Sequence, residues 1–129
     1  MSRRMSCSMT IDAVRARTKT VTRRHVDTWK DLKAGDRLTL IEKGMGLAKG
    51  ERQVVLAEVE IVDVRTESVF HVHGEPNATA REGLGHLSPD EFIAFWLKGH
   101  GYGAVLSDSN LVQCRRIEWR YMDHPGGVS

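Results

Sequence analysis

The sequence is short of most features that assign a function at sight. It has no apolar run near the roughly 18 residues that a membrane helix needs. Its start, MSRRMSCSMT, carries charge without an apolar stretch, so it does not read as a secretory leader. Two cysteines, Cys7 and Cys114, are too few for a disulfide framework and form no Cys-x-x-Cys pair. They read as two ordinary thiols of a cytoplasmic protein, with a single bridge between them left open. There is no Gly-x-Ser-x-Gly elbow, which leaves a hydrolase-type serine triad without support. GMGLAKG, residues 44–50, has glycines but lacks the Gly-x4-Gly-Lys-Ser/Thr spacing of a phosphate loop. It reads as a flexible hairpin loop, beside which Lys43 and Lys49 can touch a phosphate as point charges. His71 and His73 share a face if their segment is extended, with His86, Glu75 or His100 as a possible third ligand. A zinc site needs three or four converging ligands, and only the pair is visible. No metal and no cofactor are expected.

What is present suits one globular domain. The chain has 129 residues, 40% hydrophobic and 28% charged, enough for a core and too apolar for disorder. The net charge of +2 is unevenly spread. Residues 1–24 hold seven basic residues against Asp12, a net of +6, which leaves −4 for the rest. A basic N-terminal face on a mildly acidic body suits a polyanionic partner such as nucleic acid or a nucleotide. It also suits a plain solvated surface.

Along the chain, Thr10 is placed to cap a short helix with Ile11 and Val14 on its apolar side, fading by about Arg17. An extended threonine-rich segment follows. Residues 29–32 read as one helical turn. Lys33-Ala34-Gly35-Asp36 reads as a turn into a strand, Arg37–Glu42. Residues 53–64 read as a long strand whose apolar residues switch parity, from Val55, Ala57, Val59 and Ile61 to Val62 and Val64. That switch predicts a bulge or bend. FHVHGEPNA then reads as a turn-rich connection. The strongest helix signal is LSPDE: Ser88 as N-cap, Pro89 at N1 and Glu91 closing a capping box. Phe92, Ile93, Phe95 and Trp96 give that helix a stripe that reads as core, and Gly99 and Gly101 end it. A last strand over 111–121 puts Ile117, Trp119 and Tyr121 on one face and Arg116, Glu118 and Arg120 on the other. Several strands with bends and two or more short flanking helices read as an α+β domain around a small barrel.

The densest chemistry is in ARTKTVTRR, Ala16–Arg24, with four basic residues and three threonines. A straight strand sends Lys19 and Thr22 to opposite faces. A kink at the helix end brings both toward one cleft. There a lysine amine beside a threonine hydroxyl can stabilise an alkoxide or an anionic intermediate, with a carboxylate to orient the lysine. Glu82, in Arg81-Glu82-Gly83, is the candidate; Glu91 is already used by the capping box. The bland alternative makes Arg23 and Arg24 surface charges and the threonines edge-strand residues.

Thr18-Lys19-Thr20-Val21-Thr22-Arg23-Arg24 resembles the Gly-x-Lys-Thr-x-Thr-x-Arg signature of the ASCH domain, a branch of the PUA-like β-barrel superfamily. Gly35-Asp36 and the closing Arg116–Tyr121 strand resemble the family too. With Glu42–Leu47 and Arg81-Glu82-Gly83, the chain is most similar to ASCH proteins of actinobacterial phages. One departure stands out: Arg17 occupies the position of the signature glycine. The resemblance covers residues 5–122 of a single domain spanning 1–129, with 123–129 as a loose tail. It implies a small PUA-like barrel whose mouth faces RNA or a modified nucleoside, in the cytoplasm of a bacterial host if phage-encoded. It further implies, as catalytic residues, Lys19, Thr22 and Glu82 of an amidohydrolase acting on N4-acetylcytidine. Thr22 would attack the amide or position a water, Lys19 would move the proton and hold the oxyanion, and Glu82 would orient Lys19 or protonate the leaving amine. Arg17, Thr20, Arg23, Arg24, Lys43 and Lys49 are the expected ligand-binding residues. Relatives that act as ribonucleases or as non-catalytic RNA binders supply the alternatives, and the fold does not choose between them.

Overall fold

The basic start of the chain is also its first strand. In the computed structural model, which describes residues 3–43, 49–102 and 112–122, β1 (Arg3–Ser6) runs parallel to β3 (Arg37–Ile41). Between them lie the short helix α1 (Ile11–Arg15) and β2 (Val21–His25). The long strand β4 (Val55–Ser68) pairs antiparallel with β3 through its first half and with β5 (Gln113–Tyr121) along most of its length. β5 in turn pairs antiparallel with β2, giving one five-stranded mixed sheet in the order β1-β3-β4-β5-β2. The sheet curls into a half-barrel flanked by short helices, an α+β small barrel-like fold.

The curl has a local cause. Ile61 pairs with Trp119 and Asp63 with Glu118, so Val62 is an extra residue in the strand, 46% exposed. This is the bulge expected from the parity switch, and a bulge bends and twists its strand. A second register shift falls between Leu40 and Ile41.

Two apolar clusters sit on this frame. One packs Met5, Val14, Leu38, Ile61 and Trp119. The other packs Val69, Val72, Phe92, Ile93 and Trp96. The second belongs to α3 (Pro89–Gly99), whose Ser88–Glu91 capping box forms as expected.

Three local expectations change. Thr10 holds the N-cap position of α1, but its hydroxyl makes no cap bond. Residues 29–32 form a turn closed by Leu32 N–H donating to the Trp29 carbonyl at 3.2 Å, with Trp29 at φ +56°, instead of a helical turn. FHVHGEPNA, residues 70–78, opens within a 3-10 helix, Val69–His73, anchored by buried Val69 and Val72, and leads into α2 (Ala78–Arg81). On the charged face of β5, Arg116 is buried and Arg120 is exposed. Residues 44–48 of the expected hairpin loop and the tail 123–129 lie outside the described residues. Among the described residues, no helix is long and apolar enough to cross a membrane.

Candidate functional site

The chain turns sharply at Arg17, just after α1 and upstream of Lys19 and Thr22. α1 ends at Ala16, and Arg17 takes φ +62°, a left-handed conformation that L side chains adopt at a cost. Thr18 and Lys19 N–H both donate back to the Ala13 carbonyl, at 2.9 and 3.2 Å. The Lys19 carbonyl is then pinned from β5, by Trp119 Nε1 at 3.0 Å and Tyr121 OH at 2.5 Å. Arg17 thus marks a real reversal of the chain, and its guanidinium lies 5.5 Å from the Tyr121 ring centroid.

Glu82 arrives from the other side. It caps α2, and Gly83 follows at φ +85°. Gly83 packs so closely on α1 that an added Cβ would sit 2.9 Å from Ala13 Cβ and 3.1 Å from Thr10 Cβ. Thr20 N–H donates to the Arg81 carbonyl at 2.8 Å, and Arg81 Nε donates to Thr20 Oγ1 at 3.1 Å. The segment carrying Lys19 and the segment carrying Glu82 are therefore laced together.

Lys19 and Glu82 meet as a buried pair. Lys19 Nζ donates to the Glu82 backbone carbonyl at 2.5 Å and lies 3.7 Å from Glu82 Oε1. Burial pulls the Lys19 pKa below the ordinary lysine range, with the Glu82 charge partly opposing it. Thr22 is buried on β2, and its hydroxyl oxygen accepts from Arg24 Nε at 3.0 Å. Arg24 Nη2 donates to the Ser6 carbonyl at 2.8 Å.

These groups line one cavity of about 290 Å³. Lys19, Thr22, Arg24 and Glu82 form its charged part. The segment Ser6–Thr10 contributes a second side, and Phe92, Phe95, Trp96 and His100 a third. The Cys7 thiol also faces in. Burial pushes its pKa up, and the charges of Arg24 and Lys19 pull it partly back.

Of the expected binding residues, only Arg24 keeps that position plainly. Arg23 borders the cavity, but its guanidinium is fully buried and spent on carboxylates. It meets Glu82 Oε2 at 2.8 Å, Glu75 Oε1 at 2.7 Å and Glu67 Oε2 at 3.3 Å. It is a structural hub and not an exposed phosphate clamp. Thr20 is engaged with Arg81. Arg17 holds the turn, and Lys43 pairs with Glu51 at 3.3 Å on the β3–β4 hairpin that also carries Lys49. Arg17, Lys43 and Lys49 are not among the cavity-lining residues. His71 and His73 sit on the 3-10 helix, where residues two apart diverge. His71 Nδ1 lies 3.8 Å from Glu67 and His73 Nε2 2.9 Å from Asp90. Among the described residues, no group of three or more His, Cys, Asp or Glu is placed to hold a metal.

Sequence reasoning missed the aromatic side of the cavity. Phe92, Ile93, Trp96 and Leu97 are buried, while Phe95 is 40% exposed. At 100° per residue Phe95 points about 130° from the centre of the buried stripe. A helical wheel therefore carried the signal that a list of aromatics hid.

Fold and site together define a small barrel-like α+β domain with a charged pocket between the Ser6–Thr10 segment, β2 and α3. No family model matches the chain, and no curated protein matches it. Two solved structures share the fold. The hypothetical protein PH0355 is 16% identical with a TM-score of 0.59, over 95% of this chain and 100% of its own. The protein EF3133 from Enterococcus faecalis V583, of family DUF984, is 14% identical with a TM-score of 0.60, over 100% of this chain and 85% of its own. At these identities the likeness concerns the fold.

Proposed function

We propose that this chain is an ASCH-type protein whose pocket takes a modified nucleoside and hydrolyses the exocyclic amide of N4-acylated cytidine. The observation that carries the reading is that the buried residues Lys19, Thr22 and Glu82 all line one cavity. The signature and the carboxylate lie 63 residues apart for the Lys19–Glu82 pair.

In this reading the amide carbonyl lies over Thr22. Thr22 Oγ attacks the carbonyl carbon and its proton passes to Lys19, which burial makes easier to hold neutral. Arg24 Nε, already donating to Thr22 Oγ1, stabilises the negative charge that develops. Glu82 orients the amine. The C–N bond breaks, Lys19 returns the proton to the departing N4, and cytidine leaves. Water then cleaves the acyl-threonine, releasing the acid and restoring the hydroxyl.

The RNA-docking and ribonuclease alternatives need cations presented to phosphates. Of the four basic residues in ARTKTVTRR, Lys19 and Arg23 are buried against carboxylates, which weighs against a basic docking strip.

The test is release of cytidine from N4-acetylcytidine by purified protein. The expected outcome is turnover that falls at least ~100-fold in Lys19→Ala and in Thr22→Ala, the range typical of losing a positioned acid–base group. No release above the Lys19→Ala background would sink the reading. Because burial lowers the Lys19 pKa, the neutral amine appears at lower pH than for a free lysine. The rate should therefore climb with pH and level off below the ordinary lysine value of about 10.4.

A further inference from the structure

The cavity has two unlike sides, and only the charged one is used by the proposed chemistry. The other is aromatic and comes from one helix. Phe92, Phe95 and Trp96, with His100 at the helix end, all line it. Trp96 is fixed in place, since its Nε1 donates to the Arg23 carbonyl at 2.8 Å. His100 stacks on Trp96 with ring centroids 4.0 Å apart and 25° between planes, and its Nδ1 lies 2.8 Å from the Trp96 carbonyl. Phe95 is different. It leaves the buried stripe, stays 40% exposed, and still lines the cavity. Met9, 70% exposed and the most exposed large apolar side chain described, lines the same cavity.

Exposed apolar groups beside a buried charged cluster ask for a ligand with matching halves. One part must be flat and polarisable, to lie against rings. An edge must carry hydrogen-bond donors and acceptors, to meet Lys19, Arg24 and Glu82. A sugar offers a C–H face but no polarisable π surface, and a bare phosphate no apolar face at all. A cavity of about 290 Å³ sits at the small end of the range for small-molecule sites, which suits one ring system with a small substituent.

We propose that Phe95 is a stacking residue that makes the pocket select a planar heterocyclic base, free or turned out of a single strand, with Met9 completing the apolar rim. This rests on the nucleoside reading given above and names the part of the pocket that recognises the base. It does not depend on turnover. Stacking of a base on an aromatic side chain is sequence-tolerant and is lost when the ring is removed.

Calorimetric binding with four nucleosides tests it: N4-acetylcytidine, cytidine, uridine and 5,6-dihydrouridine. Saturating the C5–C6 bond of uridine puckers the ring and removes its π face while keeping the hydrogen-bonding edge. The native protein should bind uridine more tightly than dihydrouridine. Phe95→Leu should weaken N4-acetylcytidine binding about tenfold and erase the planar preference, while Phe95→Trp should retain both. Phe95 is partly exposed, so these variants are expected to fold, and a matched circular dichroism melt checks that they do. A short single-stranded RNA with one N4-acetylcytidine separates the two sources, since tighter binding than the free nucleoside marks a base within a strand. Unchanged affinity in Phe95→Leu, equal binding of uridine and dihydrouridine, or no binding of any planar base overturns the proposal. Base binding that depends on Phe95 without cytidine release supports the proposal and removes the hydrolase reading. Cytidine release that ignores Phe95 does the reverse.

Discussion

Arg23 and Arg24 are neighbours in sequence and opposites in structure. Arg23 is fully buried and meets three carboxylates from β4, the segment before α2, and the α2 cap. Arg24 is half-buried, lines the cavity, and meets a threonine hydroxyl and a backbone carbonyl. One guanidinium ties together carboxylates from three segments and the other lines the cavity. A run of basic residues is therefore not one functional unit. Strand alternation divides it, and the partners on each side decide what each half does.

The Arg23 side is the larger structure. Glu75 also accepts from Arg116 Nε at 2.8 Å, and Arg116 Nη1 donates to Glu118 at 2.9 Å. Arg81 joins through Glu118 at 2.9 Å, and Arg65 through Glu67 at 2.9 Å. Among the described residues, no buried side-chain nitrogen or oxygen lacks a hydrogen-bond partner. Such a network is strongly destabilised by removing one member, because its partners stay buried and unpaired.

The largest expected effect follows from that. Arg23→Met should cost about 3–5 kcal/mol in urea unfolding, the range for breaking a buried pair. A cost below about 1 kcal/mol would mean the hub is not holding the fold together. Gly83→Ala comes next. It adds a Cβ against Ala13 and Thr10 at a φ of +85° and so should cost about 1–3 kcal/mol. It should also shift the adjacent Glu82, which pairs with both Lys19 and Arg23, so any cytidine release should fall with it.

Acid should weaken the scaffold. Burial raises the Glu75 and Glu118 pKa values. The hydrogen bonds and charges of Arg116, with Arg23 for Glu75 and Arg81 for Glu118, outweigh it and hold both below the usual carboxylate value of 4.5. The unfolded chain therefore takes up protons first. The stability these groups contribute is full above about 4.5 and is lost as pH falls through their folded values. A thermal melt series should show a falling midpoint below that pH, and a smaller fall in Glu118→Gln. An equal fall in that variant would show that Glu118 contributes nothing.

The smallest effect sharpens the comparison at its entry. Arg17→Gly should relieve the left-handed strain, worth roughly 1 kcal/mol, and give back part of it as unfolded-chain entropy. A net gain below about 1 kcal/mol in urea unfolding is expected. A loss would show that the contact with Tyr121 outweighs the strain.

Much of the frame was legible because its causes are local. The capping box at Ser88–Glu91 and the parity switch at Val62 both depend on neighbours in sequence, and both formed. Lys19, Thr22 and Glu82 were legible as candidates from their chemistry, and the family resemblance named the same three; all three line one cavity. The fate of Arg23 was not readable, because its carboxylate partners lie 44, 52 and 59 residues away. The 3-10 helix at Val69–His73 hid for a related reason. Its turn-forming sequence is ordered by the burial of Val69 and Val72 in the α3 cluster, a tertiary effect.

The most direct test of the division is a paired measurement on Arg23→Met and Arg24→Met: urea unfolding and cytidine release from N4-acetylcytidine, with the native protein alongside. The account predicts that Arg24→Met stays within about 1 kcal/mol of native stability, the net worth of a typical hydrogen bond, and loses most turnover. Arg23→Met should lose several kcal/mol of stability. Equal destabilisation by the two, or an Arg24→Met protein that turns over as the native one does, would contradict it.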